Sequence, residues 1–409
     1  MSGNPTKAMG TIWRRLMAVL LAGLYLASPL CHGATLLDVH GEFTAGDQSQ
    51  VKRFTIPARE TSLKLGICLQ SNLKVGTVRL QIVGPDGNPV LEQTFGEGRH
   101  FSAKTLEPSA GPAALQVELG GDSAAGEWEL VAVEIPTRSA LYPAFATGPL
   151  MMLVAAAFVI GWRMRSRVQW RWFWAGAVIW TVGVGAKLGW AILTNPAILG
   201  GLESAFPRAL YLAAGSAYIG ALTGIFEIGV TLACAMIWRH MALRGDRAVA
   251  VGVGAGACEA LLLGAAALTQ AFVMVSGMPQ ADLLLVNSVY LASSTSLSWL
   301  VSPVERIIAI LCHTSSRTLV LLCVAKRQWS LFWYGFALIS AIDALAGFLH
   351  LGGYLGSTSL WWVEWLLAPF AIASFPIVKW CLRRWPSTNL DRPTADSAGT
   401  EGEGTCPSM

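Results

Sequence analysis

Residues 248–275 read AVAVGVGAGACEALLLGAAALTQAFVMV, and this stretch decides the fold. It is apolar throughout except for small polar residues and one ionisable side chain, Glu259. A helix needs about 20 apolar residues to cross the hydrocarbon of a bilayer. The stretch therefore predicts a membrane span. A carboxyl inside a bilayer is costly and faces the interior of a helix bundle, so Glu259 is a candidate functional residue.

Working outward, similar runs predict spans near 142–162, 171–192, 209–238, 301–325, 330–349 and 359–382. With 248–275 they make a seven-helix bundle over 139–385. The chain of 409 residues is 54% hydrophobic and 13% charged, too apolar for an ordinary soluble enzyme. No basic patch with interleaved aromatics points to a nucleic-acid partner. Arg163, Arg165, Arg167 and Arg171 lie between the first two spans, and Arg239, Arg244 and Arg247 between the third and fourth. Lys326 and Arg327 precede the sixth span, and Lys379, Arg383 and Arg384 end the seventh. The alternate loops, near 193–208, 276–300 and 350–358, contain Arg208 and no other Lys or Arg. This positive-inside pattern predicts a multi-pass protein of the cytoplasmic (inner) membrane with a cytoplasmic C-terminus. The loop 276–300 is long and mildly apolar, suited either to the outer surface or to re-entry into the bundle. Residues 386–409 are rich in Ser, Thr, Gly, Asp and Glu, a composition that predicts disorder.

The N-terminus has Lys7, Arg14 and Arg15 before an apolar stretch from Leu16 to Ala27. Cys31 and Gly33 suit the −3 and −1 positions of a cut after Gly33, which predicts a signal peptide over 1–33. A retained signal anchor is the alternative. Residues 34–138 then alternate apolar and polar side chains in short runs, as in Val78-Arg79-Leu80-Gln81-Ile82 and Trp128-Glu129-Leu130-Val131-Ala132-Val133. Pro85-Asp86-Gly87 is a turn by its chemistry. About seven strands in roughly a hundred residues predict an extracytoplasmic all-β sandwich. Its one cysteine, Cys68, has no partner within the domain, so a hydrophobic core must hold the domain together. No catalytic constellation is visible in this domain. A spacer role or the binding of an extracytoplasmic ligand is expected.

The ionisable residues inside the predicted spans are Lys187, Glu227, Glu259, Glu305, Arg306, His313, Arg317 and Asp343. Glu227 lies 12 residues before Arg239, Glu259 lies 12 after Arg247, and His313 lies 13 before Lys326. At about 1.5 Å per residue these three share a depth of about 18 to 20 Å from the basic flank. Asp343, 16 residues after Arg327, is about one turn farther. Two glutamates, a histidine and an aspartate from four helices thus occupy a thin slab. Arg306, His313 and Arg317 fall on one stripe of the fifth helix, because offsets of 7 and 11 return near the same angle. Glu305 points away and suits pairing or snorkelling at the outer interface. Lys187, counted from the outer end of a helix closing at 192, reads as shallow and structural. Carboxylates desolvated together can share a proton and activate water. The same slab could instead carry protons in a transporter, although no inverted repeat or pair of broken helices supports that reading.

Trp172-Phe173-Trp174-Ala175-Gly176-Ala177, Gly224-Ile225-Phe226-Glu227, the glycine-rich run from Gly252 to Glu259, and Val304-Glu305-Arg306 followed by His313 resemble the YhfC family. The resemblance covers roughly 145 to 380. It implies a glutamic-type intramembrane endopeptidase in which Glu259, partnered by Glu227, activates water against a peptide bond of a membrane-protein substrate. His313 would orient or stabilise the intermediate. Glu305, Arg306, Arg317 and Asp343 would support it, and the glycine-rich helix would let the substrate approach. No HExxH motif is present, and no metal or other cofactor is expected. The sequence also departs from the family pattern. Ile228 stands where a second glutamate is expected, Val230 and Thr231 where an arginine would help, and Ala255 where a histidine belongs. Ser340, ahead of Asp343, takes the place of another histidine. These changes leave open a catalytically inactive receptor or scaffold that binds transmembrane helices or an extracytoplasmic partner.

Overall fold

The computed structural model describes residues 35–386 except 45–49, 57–63, 85, 107–113, 136–141, 277, 279–280, 294 and 355–358. The predicted signal peptide and almost all of the polar tail lie outside the described residues.

Six antiparallel strands are described: β1 (Thr35–Phe43), β2 (Gln50–Ile56), β3 (Lys64–Val83), β4 (Pro89–Phe95), β5 (Gly98–Leu106) and β6 (Leu115–Ile135). β3 and β6 are 20 and 21 residues long and pair along nearly their whole length. Their register shifts between Leu73 and Thr77, opposite a stretch where Ser123 and Gly126 have positive φ. A side chain at Gly126 would sit 2.2 Å from the Asn72 carbonyl oxygen, so the corner needs glycine there. β1 and β5 flank one half of this long pair, and β2 and β4 flank the other. Leu65, Ile67 and Leu69 from the first half share one buried core with Leu80, Ile82, Val117 and Leu119 from the second. The domain is therefore a sandwich made by bending one sheet. Six strands do the work of the expected seven or so because β3 and β6 each run through both layers.

Among the described residues, seven helical segments are long and apolar enough to span a membrane. In chain order the helices are α1 (Tyr142–Ser166), α2 (Arg171–Ala205), α3 (Arg208–Thr223), α4 (Val230–Ile237), α5 (Gly245–Ser276), α6 (Ala281–Ser293), α7 (Ser298–Lys326), α8 (Ser330–Leu351) and α9 (Trp361–Arg383). A π-helical turn, Gly224–Gly229, joins α3 to α4 within one span. The chain is a multi-pass membrane protein with a β domain. α7 is the central helix, with most of its length buried. The expected end of the second span at 192 is wrong: α2 runs on to Ala205, through Pro196.

The basic segments gather at one end of the bundle. Arg171 and Arg247 both lie over the Trp172 ring, and the Trp162 and Trp385 indoles donate to carbonyls of Asp246 and Ala242. α5 starts at this end and finishes at the other, beside the β domain. There the 276–300 connection forms α6, which lies on the sheet rather than re-entering the bundle. Val286 and Val289 are buried against Val131, Val133 and Ile135. A side chain at Gly66 would meet the Val286 methyl at 2.7 Å. The Thr105 hydroxyl donates to Asp282 at 2.8 Å, and the Tyr290 hydroxyl to Asp38 at 3.1 Å.

The glycines of the opening stretch pack helices. A Cβ at Gly252 would stand 2.6 Å from the Thr314 Cα, and one at Gly256 2.7 Å from the Ile310 Cα, both on α7. A Cβ at Gly254 would meet the Phe173 carbonyl oxygen of α2 at 2.1 Å. Small residues let membrane helices approach closely. These glycines face α2 and α7 and leave no gap there for a substrate, contrary to the role expected of them.

Two outcomes test this packing. Gly256→Leu should destabilise the bundle by about 1–3 kcal/mol or more through overpacking, read as a lower melting midpoint in detergent. Burial, with help from Glu129, pushes the Cys68 thiol up to about 12. At pH 8 native Cys68 should therefore resist maleimide, as followed by peptide mass spectrometry, because the thiolate is the nucleophile. Val286→Asp, which lifts α6 from the sheet, should accelerate its labelling at least tenfold.

Candidate active site

Glu227 sits in the π-helical turn, flanked by Gly224 and Gly229. Such turns widen the helix and re-aim its side chains. The Thr231 hydroxyl donates to the Glu227 carbonyl at 2.7 Å, satisfying an acceptor inside the widened segment. A Cβ at Gly183 of α2 would meet the Phe226 carbonyl oxygen at 2.6 Å, so α2 lies tight against the turn. Ile228 is fully buried in an apolar cluster with Ala257, Ile310 and Ile339. A second glutamate there would have no polar surroundings.

The side chains of Glu227, Glu259 and His313 converge. His313 Nε2 is 2.6 Å from Glu259 Oε2, and His313 Nδ1 lies 3.8 Å from Glu227 Oε2. Arg317, one turn along α7, contacts His313 Nδ1 through Nη1 and donates to Glu227 Oε2 at 3.2 Å through Nη2. A guanidinium can only donate. The hydrogen-bond network therefore assigns Nδ1 as an acceptor and puts the ring proton on Nε2, aimed at Glu259. Arg306 pairs with Glu259 through Nη1 and with Glu305 through Nη2. The arginine expected on the same helix as Glu227 is supplied here by α7.

Lys187 is not shallow. Its Nζ donates to Glu227 Oε1 at 2.8 Å and to the Thr223 hydroxyl at 3.2 Å, and lies 3.5 Å from Asp343 Oδ2. The Thr223 hydroxyl also donates to Asp343. The error lay in the helix end. Since α2 runs to Ala205, the depth of Lys187 is properly counted from Arg171, 16 residues away, the same count that separates Asp343 from Arg327.

All these groups except the fully buried Arg317 line one cavity of about 330 Å³, walled by apolar side chains such as Trp180, Leu262, Ile339 and Leu367. Glu227 and Glu259 differ in access. The Glu227 side chain is 4% exposed and that of Glu259 is 19%. Glu305 is half-buried at the rim. Glu364 on α9 escaped the sequence reading. It is buried, within electrostatic reach of Glu305 and Arg306, and its Oε2 has no hydrogen-bond partner among the described residues. The signal was present as the lone acid in Trp361-Trp362-Val363-Glu364-Trp365, near the start of the last span.

The two missing histidines fall at tight helix crossings. Ala255 is fully buried, and a Cβ at Gly176 would come 2.9 Å from its nitrogen. Ser340 packs on α3 and the π-helical turn, where a Cβ at Gly220 would meet its carbonyl at 2.2 Å and one at Gly224 its hydroxyl at 2.4 Å. An imidazole at either place would force helices apart.

A family model described as YhfC intramembrane metalloprotease matches residues 150–366. No curated protein matches the chain. The matched description names a metal, where the resemblance implied glutamic-type chemistry. A metal ligand set would have to come from Glu227, Glu259 and His313, and these residues do not fit one. The neutral imidazole directs its proton at Glu259 and its lone pair at Arg317, so neither nitrogen is free to ligate. Each glutamate is already paired with a side-chain cation. Among the described residues no group of three or more His, Cys, Asp and Glu could hold a metal ion.

Removing one partner of a buried ion pair strands the other, at a cost of about 3–5 kcal/mol. Arg317→Met should lower stability by about that amount in denaturant titrations of the detergent-solubilised chain. The double variant Arg317→Met with Glu227→Gln should recover part of the loss.

Proposed function

The chain belongs to the YhfC intramembrane metalloprotease family, and from that premise we propose that it hydrolyses peptide bonds of membrane-protein substrates with water activated by Glu259. One observation carries this reading: Glu259 is the more exposed of two glutamates bridged by one histidine in a cavity with largely apolar walls. Water held in the cavity gives a proton to Glu259 as its oxygen attacks the scissile carbonyl carbon. The resulting oxyanion is stabilised by Arg306 and by the His313 Nε2–H, which Glu259 releases as it takes up the proton. Glu259 then passes its proton to the departing amide nitrogen as the C–N bond breaks. Glu227, held by Lys187 and Arg317, keeps Arg317 on the His313 ring and so maintains its orientation. Asp343 anchors Lys187, and Glu305 anchors Arg306. No step passes through a metal.

The clustering of basic residues at one end of the bundle supports an orientation with that end and the C-terminus in the cytoplasm. The β domain then lies outside, in a position to engage an extracytoplasmic ligand or the exposed part of a substrate.

A second reading is favoured by a specific observation. Both oxygens of each glutamate already have a cation or the imidazole as partner, as in a finished structural network. On that reading the chain captures transmembrane helices without cleaving them.

A panel of membrane-helix substrates, reconstituted with the purified full chain and analysed by mass spectrometry, separates the two. Cleavage that falls about 10²–10⁴-fold in Glu259→Gln is the expected result for general-base catalysis. Cleavage unaffected by that substitution would contradict the proposal, and stable capture with intact substrate would establish the second reading.

A further inference from the structure

The three basic residues of the layer are spaced so that each answers to particular acids. Lys187 lies between Glu227 and Asp343, Arg317 between Glu227 and His313, and Arg306 between Glu259 and Glu305. The inner carboxylates Glu227, Glu259 and Asp343 are thus matched by three cations, with Glu305 at the half-exposed rim. We infer that Lys187, Arg306 and Arg317 take the place of a divalent ion in this layer, and that the protein binds no metal there.

The argument is electrostatic and geometric. An ion ligated by Glu227, Glu259 and His313 at about 2.0–2.2 Å from each would sit among their hydrogen-bond partners. The guanidinium of Arg317 touches both Glu227 and His313, and that of Arg306 touches Glu259. A dication would therefore lie within a few ångströms of two permanent positive charges, in surroundings where charge is weakly screened. To make room, Arg317 would have to leave a position in which its side chain is fully buried. Glu227, in the π-helical turn, accepts from Lys187 of α2, which the Thr223 hydroxyl also holds, rather than facing an open coordination position.

The inference rests on reading this layer as the working site of the chain. Its test uses metal content and melting, so an absence of cleavage does not decide it. The full chain, purified in detergent, is incubated with zinc chloride, desalted and analysed for bound metal. Its melting midpoint is measured with and without a chelator. We expect well under a tenth of an equivalent of zinc and an unchanged midpoint. About one equivalent of zinc that disappears in Glu259→Gln, with a midpoint lowered by chelator, would overturn the inference. Lys187→Met addresses the compensating role directly. It should lower the midpoint, and adding Asp343→Asn should restore at least half of the loss. A double variant no more stable than Lys187→Met would show that Lys187 does not neutralise this site. The metal content of the wild-type chain decides the question if Lys187→Met does not fold.

Discussion

The ring of His313 joins the partly buried Glu259 directly and the buried Glu227 through Arg317, and the arrangement of the bundle follows from that bridge. An imidazole between two carboxylates in a bilayer survives only if every neighbouring charge is paired, since isolated charges there are costly. Three helices therefore have to bring their charged side chains within hydrogen-bond reach. α5 comes close enough to α7 through Gly252 and Gly256, where any larger side chain would touch α7 backbone. The turn at Gly224–Gly229 re-aims Glu227 toward the same point. α2 adds Lys187, and α8 adds Asp343 to hold it.

Much of this was legible in the sequence because bilayers impose length and polarity on each span. Counting from the basic flanks placed Glu227, Glu259 and His313 at one depth, and the structure brings them together. Lys187 was misjudged for a physical reason. Its depth was counted from a helix end at 192, whereas the helix persists through Pro196 to Ala205. Glu364 was missed because an acid near the end of a span reads as interfacial. Its burial depends on the packing of α9 against α7, which no single-helix pattern reveals. In the β domain the alternation of side chains was readable, but the bend that makes one sheet into a sandwich was not. That bend depends on Gly76, Ser123 and Gly126 adopting positive φ in register with one another. The glycines of α5 were read as room for a substrate, yet helices α2 and α7 already fill that space.

Among the described residues, α6 ties the β domain to the two helices that carry most of the polar layer. α6 connects the end of α5, which carries Glu259, to the start of α7, which carries Arg306, His313 and Arg317. Val286 and Val289 bury themselves on the sheet, and Thr105 and Asp38 add polar contacts. Helices α5 and α7 are thus held at one end by a folded domain and at the other by the tryptophan and arginine contacts around Trp172. This fixes the spacing of α5 and α7 where Glu259 and His313 meet.

The most direct test of the account is the protonation pattern of the His313 ring. The full chain carrying ¹⁵N-labelled histidine, with a His313→Asn variant to identify the signal, would be studied by nitrogen-detected NMR in lipid bilayers. The account predicts a neutral ring with the proton on Nε2 and a bare Nδ1 accepting from Arg317. A doubly protonated ring, or a proton on Nδ1, would contradict the bridge on which the proposed chemistry and the metal-free site both depend.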